Sequence, residues 1–192
     1  MRAAYDIVVI ASSAGGVTAL GHLVEQLAPD LPAAVIAVQH LDPRHSSLLG
    51  EILGRRTTLP VRSASDRTRV QPGTIYVAPP DYHVLVTGDG VMHLNQAELV
   101  HFLRPSADLL FESAAAGFKD RAIAVVLSGT GSDGAGGVRA IKATGGTVLV
   151  QDDADFTGMP EAALATGMAD YHLPLTELGI AINRLVIGAQ PE

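Results

Sequence analysis

Short, uninterrupted apolar runs that alternate with helix-period segments constrain this chain most. Ile7-Val8-Val9-Ile10, Ala34 to Val38 and Ile123 to Leu127 are each strand-length, with no polar residue between. A strand that is apolar on both faces is buried on both, as in a parallel sheet covered by helices. Between the runs, Val17, Leu20, Leu23, Val24 and Leu27 recur at helical spacing, and Pro29 and Pro32 end that helix. Helices are also expected from about Ser46 to Arg55, from Pro105 to near Gly117, and around Val138 and Ile141 up to Gly145-Gly146. Two more are expected from Met159 to Ala165 and from about Glu177 to Val186, with a strand at Thr147 to Val150. The middle reads differently. Val61, Thr74 to Ala78, Val84 to Val86 and Val91 to Leu94 are short strands separated by Gln71-Pro72-Gly73 and Gly88-Asp89-Gly90. They predict hairpins inserted into the α/β pattern. The expected fold is α/β: a doubly wound, mostly parallel sheet with an antiparallel hairpin region, three-layer α/β/α. All 192 residues read as one domain.

Composition excludes several function classes. Thirteen Lys+Arg against twenty Asp+Glu leave a net charge of −7, which offers no footprint for nucleic acid. There is no Cys, so disulfides, thiolate metal sites and cysteine nucleophiles are excluded. The apolar runs fall well short of the roughly 20 residues that span a bilayer. No signal peptide is legible. These features predict a cytoplasmic protein with no membrane insertion. The seven histidines show no metal-ligand spacing, and neither metal nor cofactor is expected.

In doubly wound sheets, ligands bind beyond the carboxyl ends of the strands. Three such ends are chemically loaded. The first strand runs into Ala11-Ser12-Ser13-Ala14-Gly15, close to a nucleophile elbow, where small residues allow a sharp strand-to-helix turn. The second ends at His40, and a later one enters Gly129-Thr130-Gly131-Ser132-Asp133-Gly134. A Ser, a His and an Asp converging at one sheet edge are the material of a nucleophilic triad. Each also has a plainer use. Ser12 or Ser13 serves equally as a helix cap, Ser12 rivals Ser13 as nucleophile, and a lone His at a strand end bonds backbone. Gly129 to Gly134 also matches a dinucleotide-binding loop, with Asp152 and Asp153 following at about the right distance. Asp133 inside a loop meant for pyrophosphate argues against that use.

Several segments together resemble the catalytic domain of the chemotaxis protein-glutamate methylesterases, the CheB type. They are Ala11 to Gly16, Val38-Gln39-His40, His45 to Leu49, Pro72 to Pro80, Arg104 to Phe111, Leu127 to Gly134 and Gly158-Met159-Pro160. The resemblance covers nearly the whole chain and favours the triad over the dinucleotide loop. It implies hydrolysis of glutamate γ-methyl esters on chemoreceptors, releasing methanol, and deamidation of certain glutamines. It implies Ser13 as nucleophile, His40 as base and Asp133 as the group orienting the imidazole. Backbone N–H groups near Thr130, and near Ala14, are expected to hold the oxyanion. Arg104 and Met159 are expected near the substrate, although an ion pair is the plainer role for Arg104. The expected partners are methylated chemoreceptor cytoplasmic domains or similar signalling proteins, with a separate regulatory partner. The likeness starts almost at residue 1, so no receiver domain is expected in these 192 residues. Ala11-Ser12 stands where the family usually has Gly-Ala. A catalytically silent binding module on the same fold is the alternative.

Overall fold

A computed structural model describes residues 3–41 and 47–189. The apolar runs form the centre of a seven-stranded sheet. Its strands are β1 (Ile7–Ser12), β2 (Ala34–Gln39), β3 (Val61–Ser63), β5 (Ile75–Val77), β8 (Ala122–Val126), β9 (Thr147–Gln151) and β10 (Tyr171–Leu173). The spatial order is β10-β9-β8-β1-β2-β5-β3, and every pairing is parallel. A second, antiparallel sheet holds β4 (Thr68–Arg69), β7 (Val91–Asn95) and β6 (His83–Val86), in that order.

The period-2 geometry of a strand divides its side chains between two cores. Ile7, Val9 and Ala11 of β1 face one core, with Leu110 and Phe111 of α3 (Ala107–Phe118), Val138 and Ile141 of α4 (Ala135–Ala143), and Met159 of α5 (Gly158–Leu164). Val8 and Ile10 face the other, with α1 (Gly16–Glu25), α2 (Leu49–Gly54) and α6 (Leu175–Val186). The small sheet adds Val84, Val86 and Met92 to the first core. That makes three layers, helices on both faces of a parallel sheet, as expected. No helix among the described residues is long and apolar enough to cross a membrane.

The middle of the chain corrects the sequence reading. Val61 and the strand within Thr74 to Ala78 are not hairpin strands; they pair in parallel at the edge of the main sheet. Their short length hides the direction of pairing, which only the partner decides. The two-residue β4 and three-residue β10 were not legible as strands. Pro105 is not the first helical residue of α3. Ser106 is the N-cap, in an extended conformation. The helix expected from Ser46 begins at Leu49, and Ser46, like His45 of the family-like block, lies outside the described residues. Gly137 lets α4 approach α3, since a Cβ there would collide with Phe111. The starts of these two helices therefore lie side by side.

Candidate active site

The topology reverses at β1. From it the chain builds outward through β2 in one direction, then returns to add β8 on the other side. The crevice between the ends of β1 and β8 is the switch point where such folds bind ligands.

Ser13 and His40 leave neighbouring strands at the same level. Ser12 is in register with Gln39, and His40 N–H donates to Ser12 C=O at 3.0 Å. The Gln39 side chain ties the two exits together. Its Nε2 donates to Ser13 C=O (2.7 Å) and His40 C=O (3.0 Å), and its Oε1 accepts from the Ser12 hydroxyl at 2.7 Å. Ser12 is wholly buried. That removes it as a rival nucleophile, because its hydroxyl faces Gln39 and the Val38 carbonyl and not the crevice. Nor does Ser13 cap α1, whose N-cap is Gly15 at φ 73° with no side-chain cap bond.

The His40 ring is hydrogen-bonded to a carboxylate, not to backbone. His40 Nε2 lies 2.8 Å from Asp133 Oδ2. Asp133 is 1% exposed, and both its oxygens are filled. Oδ2 also accepts from Ala107 N–H at 2.6 Å, and Oδ1 accepts from Ser106 Oγ–H (2.9 Å) and Asp108 N–H (3.1 Å). These donors are the N-terminus of α3, where unpaired N–H groups and the helix dipole favour an anion. Burial by itself raises the Asp133 pKa. The hydrogen bonds from His40, Ala107 and Asp108 outweigh it and hold the carboxyl below the ordinary aspartate range. A carboxylate only accepts, so His40 carries its proton on Nε2. Among the described residues its buried Nδ1 has no hydrogen-bond partner. That leaves one free ring lone pair at the end of the strand next to the one that Ser13 follows.

The loop after β8 closes against Ser13. Ser13 N–H donates to Ser128 C=O at 3.0 Å. The Ser128 hydroxyl donates to Ala14 C=O (2.8 Å) and accepts from Phe156 N–H (3.1 Å), which joins three loops. Gly129 must lack a side chain, because a Cβ there would stand 2.9 Å from Ser13 Cβ and strike Met159 Sδ. Among the described residues, the N–H groups of Ala14 and Thr130 donate to no acceptor.

The same geometry disposes of the dinucleotide loop. The N–H groups of Gly134 and Gly137, at the start of α4, already donate to Asp108 Oδ1 at 3.0 and 2.7 Å. A pyrophosphate finds these donors taken.

Met159 is 1% exposed and packs against Gly129. Arg104 is committed to structure. Its Nε and Nη2 donate to Asp81 Oδ1 (2.9 and 2.6 Å), and its Nη1 donates to Gln96 C=O and Ala97 C=O. It still lines an open cavity of about 270 Å³ beside His40, with Leu41, Leu99, Phe102 and Leu103. Phe102 is 94% exposed on this rim. Among the described residues no cluster of three or more His, Asp or Glu is placed to hold a metal.

The sequence reading missed Gln39, Ser106 and Asp108 as residues that hold these groups in place. Ser106 was accessible in principle, since Ser just before an apolar helical segment is a favoured N-cap residue.

A three-layer α/β/α domain with a serine, an imidazole and a buried carboxylate gathered at its switch point defines a hydrolase-type catalytic domain. Comparison with known proteins narrows the class. The CheB methylesterase family model matches residues 8–182, and the chain belongs to that family. Protein-glutamate methylesterase/protein-glutamine glutaminase 2 of Caulobacter vibrioides is 40% identical over 180 residues, covering 91% of this chain and 52% of its own length. A Leptospira interrogans protein named for the same two activities is 35% identical over 183 residues, covering 94% of this chain and 95% of its own. This chain therefore spans about half the first relative and nearly all of the second. The crystal structure of the Thermotoga maritima CheB methylesterase catalytic domain superposes with a TM-score of 0.91 at 34% identity, covering 95% of this chain and 99% of that one.

Proposed function

We propose that this protein hydrolyses glutamate γ-methyl esters on chemoreceptor-like signalling proteins, releasing methanol, and that the same site deamidates glutamine. The observation that carries the reading is the His40 ring, bound to buried Asp133 through Nε2 and left with a bare Nδ1 beside the Ser13 exit. The family membership and the names of the relatives support the substrate class.

Ser13 Oγ attacks the ester carbonyl as His40 Nδ1 accepts its proton. Asp133 stabilises the resulting imidazolium through Nε2–H. Nδ1 and Nε2 exchange the places they hold in the familiar triad template, where Nδ1 faces the carboxylate; the chemistry is unaltered because the two nitrogens are equivalent as base and donor. The tetrahedral oxyanion is received by the N–H groups of Ala14 and Thr130. Removing one such donor typically costs about 100- to 1000-fold in rate. Collapse breaks the C–O bond to the methoxy group, and His40 returns the proton to give methanol. Water then enters with His40 again as base, and glutamate leaves Ser13. With a glutamine substrate the leaving group is ammonia.

The test is methanol release from methylated receptor cytoplasmic domains, wild type beside Ser13→Ala, with phosphonate labelling of Ser13 in parallel. Release and labelling by wild type alone are expected. Equal release by Ser13→Ala overturns the mechanism. A Ser13 that no phosphonate labels identifies a binding module.

A further inference from the structure

We propose that His83 is a positioning residue for this site: it anchors the N-terminus of α3, from which Ser106, Ala107 and Asp108 grip Asp133. The proposal rests on the reading of Asp133 as the group that orients His40.

His83 opens β6 in the antiparallel sheet and is fully buried. A buried histidine remote from the reacting atoms demands an account of both its nitrogens. Nε2 lies 3.0 Å from Glu98 C=O, and a carbonyl only accepts, so the proton sits on Nε2. Nδ1 is then an acceptor, and Ser106 N–H donates to it at 3.2 Å. Both ring nitrogens are then satisfied. Its acceptor meets the backbone of Ser106, whose hydroxyl donates to Asp133 Oδ1.

The connection runs from His83 Nδ1 to Ser106 N–H, from Ser106 Oγ to Asp133 Oδ1, and from Asp133 Oδ2 to His40 Nε2. Ser106 is the N-cap of α3, so fixing its backbone also fixes where Ala107 and Asp108 N–H point. The same ring holds the Glu98 carbonyl, close to the Gln96 and Ala97 carbonyls held by Arg104. A packing role alone would be filled by leucine. What leucine lacks is the acceptor for Ser106 N–H and the donor to Glu98 C=O, and the glutamine variant below separates the two. By this account the antiparallel sheet contributes to hydrolysis by aiming the acid, with no atom near the ester.

The experiment compares His83→Leu, which removes the acceptor, with His83→Asn, whose Oδ1 stands near the position of Nδ1. His83→Gln keeps the donor to Glu98 but not the acceptor, and replaces the leucine variant if that does not fold. Thermal unfolding checks each fold. The readouts are kcat and KM for ester hydrolysis, and the downfield NMR resonance of the His40 Nε2 proton. His83→Leu and His83→Gln are expected to lower kcat about 10- to 100-fold at unchanged KM, as small misplacements of catalytic groups do, and to move the proton signal. His83→Asn is expected to restore both to near wild type. Ser13→Ala abolishes turnover but leaves the proton signal, which separates failure of the hydrolase reading from failure of this one. A folded His83→Leu or His83→Gln with wild-type kcat and proton signal overturns the proposal. So does a His83→Asn as impaired as the other two.

Discussion

Asp108 and Asp133 cap each other's helices. Asp133 precedes α4 and accepts N–H groups from the start of α3, while Asp108 belongs to α3 and accepts Gly134 and Gly137 N–H at the start of α4. Neither carboxylate serves the helix of its own segment. Each helix start thus depends on the other, and the orientation of Asp133 toward His40 inherits the rigidity of two packed helices.

Asp108→Ala removes the cap of α4 and leaves two buried N–H donors unpaired. Stability should fall by about 1–3 kcal/mol, read from urea unfolding at neutral pH. Ester hydrolysis should fall with it at denaturant-free pH 7, because the backbone that holds Asp133 shifts. An unchanged urea midpoint refutes the mutual cap.

Asp133→Asn should lower turnover by about 10⁴-fold, since an amide no longer stabilises the imidazolium or enforces its tautomer. It also alters acid stability. The folded-state pKa of Asp133 is depressed, so its carboxylate contributes stability in full above about pH 4, the ordinary aspartate value. That contribution drains away as pH falls toward the folded pKa. The wild type should therefore lose stability more steeply than Asp133→Asn below pH 4 in denaturant melts. Parallel curves refute the ionised, hydrogen-bonded carboxylate.

Ser13→Ala and Ser12→Ala should separate cleanly although the residues are adjacent. The first removes the nucleophile, with a loss of about 10⁴-fold or more in methanol release and little change in stability. The second strips Gln39 Oε1 of its hydroxyl donor and should cost about 1 kcal/mol in thermal stability. It should leave turnover within about tenfold. Inverted outcomes make Ser12 the nucleophile.

Gly129→Ala introduces a methyl group between Ser13 Cβ and Met159 Sδ. The loop must move, so turnover should fall more than stability does. Shortening the far side, in Gly129→Ala/Met159→Ala, should recover part of the lost activity, because the sulfur is one of the two obstructions. A double variant no better than the single one assigns the clash to Ser13 alone.

Much of this was legible in the residues. Uninterrupted apolar strands read as buried parallel strands because both faces of the sheet are covered, and β1, β2 and β8 are buried at every position. Ser13, His40 and Asp133 stood out because strand-end loops are where such a sheet meets ligands. The short strands β3 and β5 misled, since three residues carry no sign of the direction of their partner.

The sequence by itself determined the layered α/β architecture and, through its motif blocks, the family, because periodicity and residue type are local properties. Tertiary structure alone decided which of two adjacent serines is buried, which imidazole nitrogen meets the acid, and that Asp133 is held by a helix 26 residues earlier in the chain. Those are relations between segments distant in sequence. They are set by register, by the close approach of α3 to α4 and by the burial of polar groups that must then be paired.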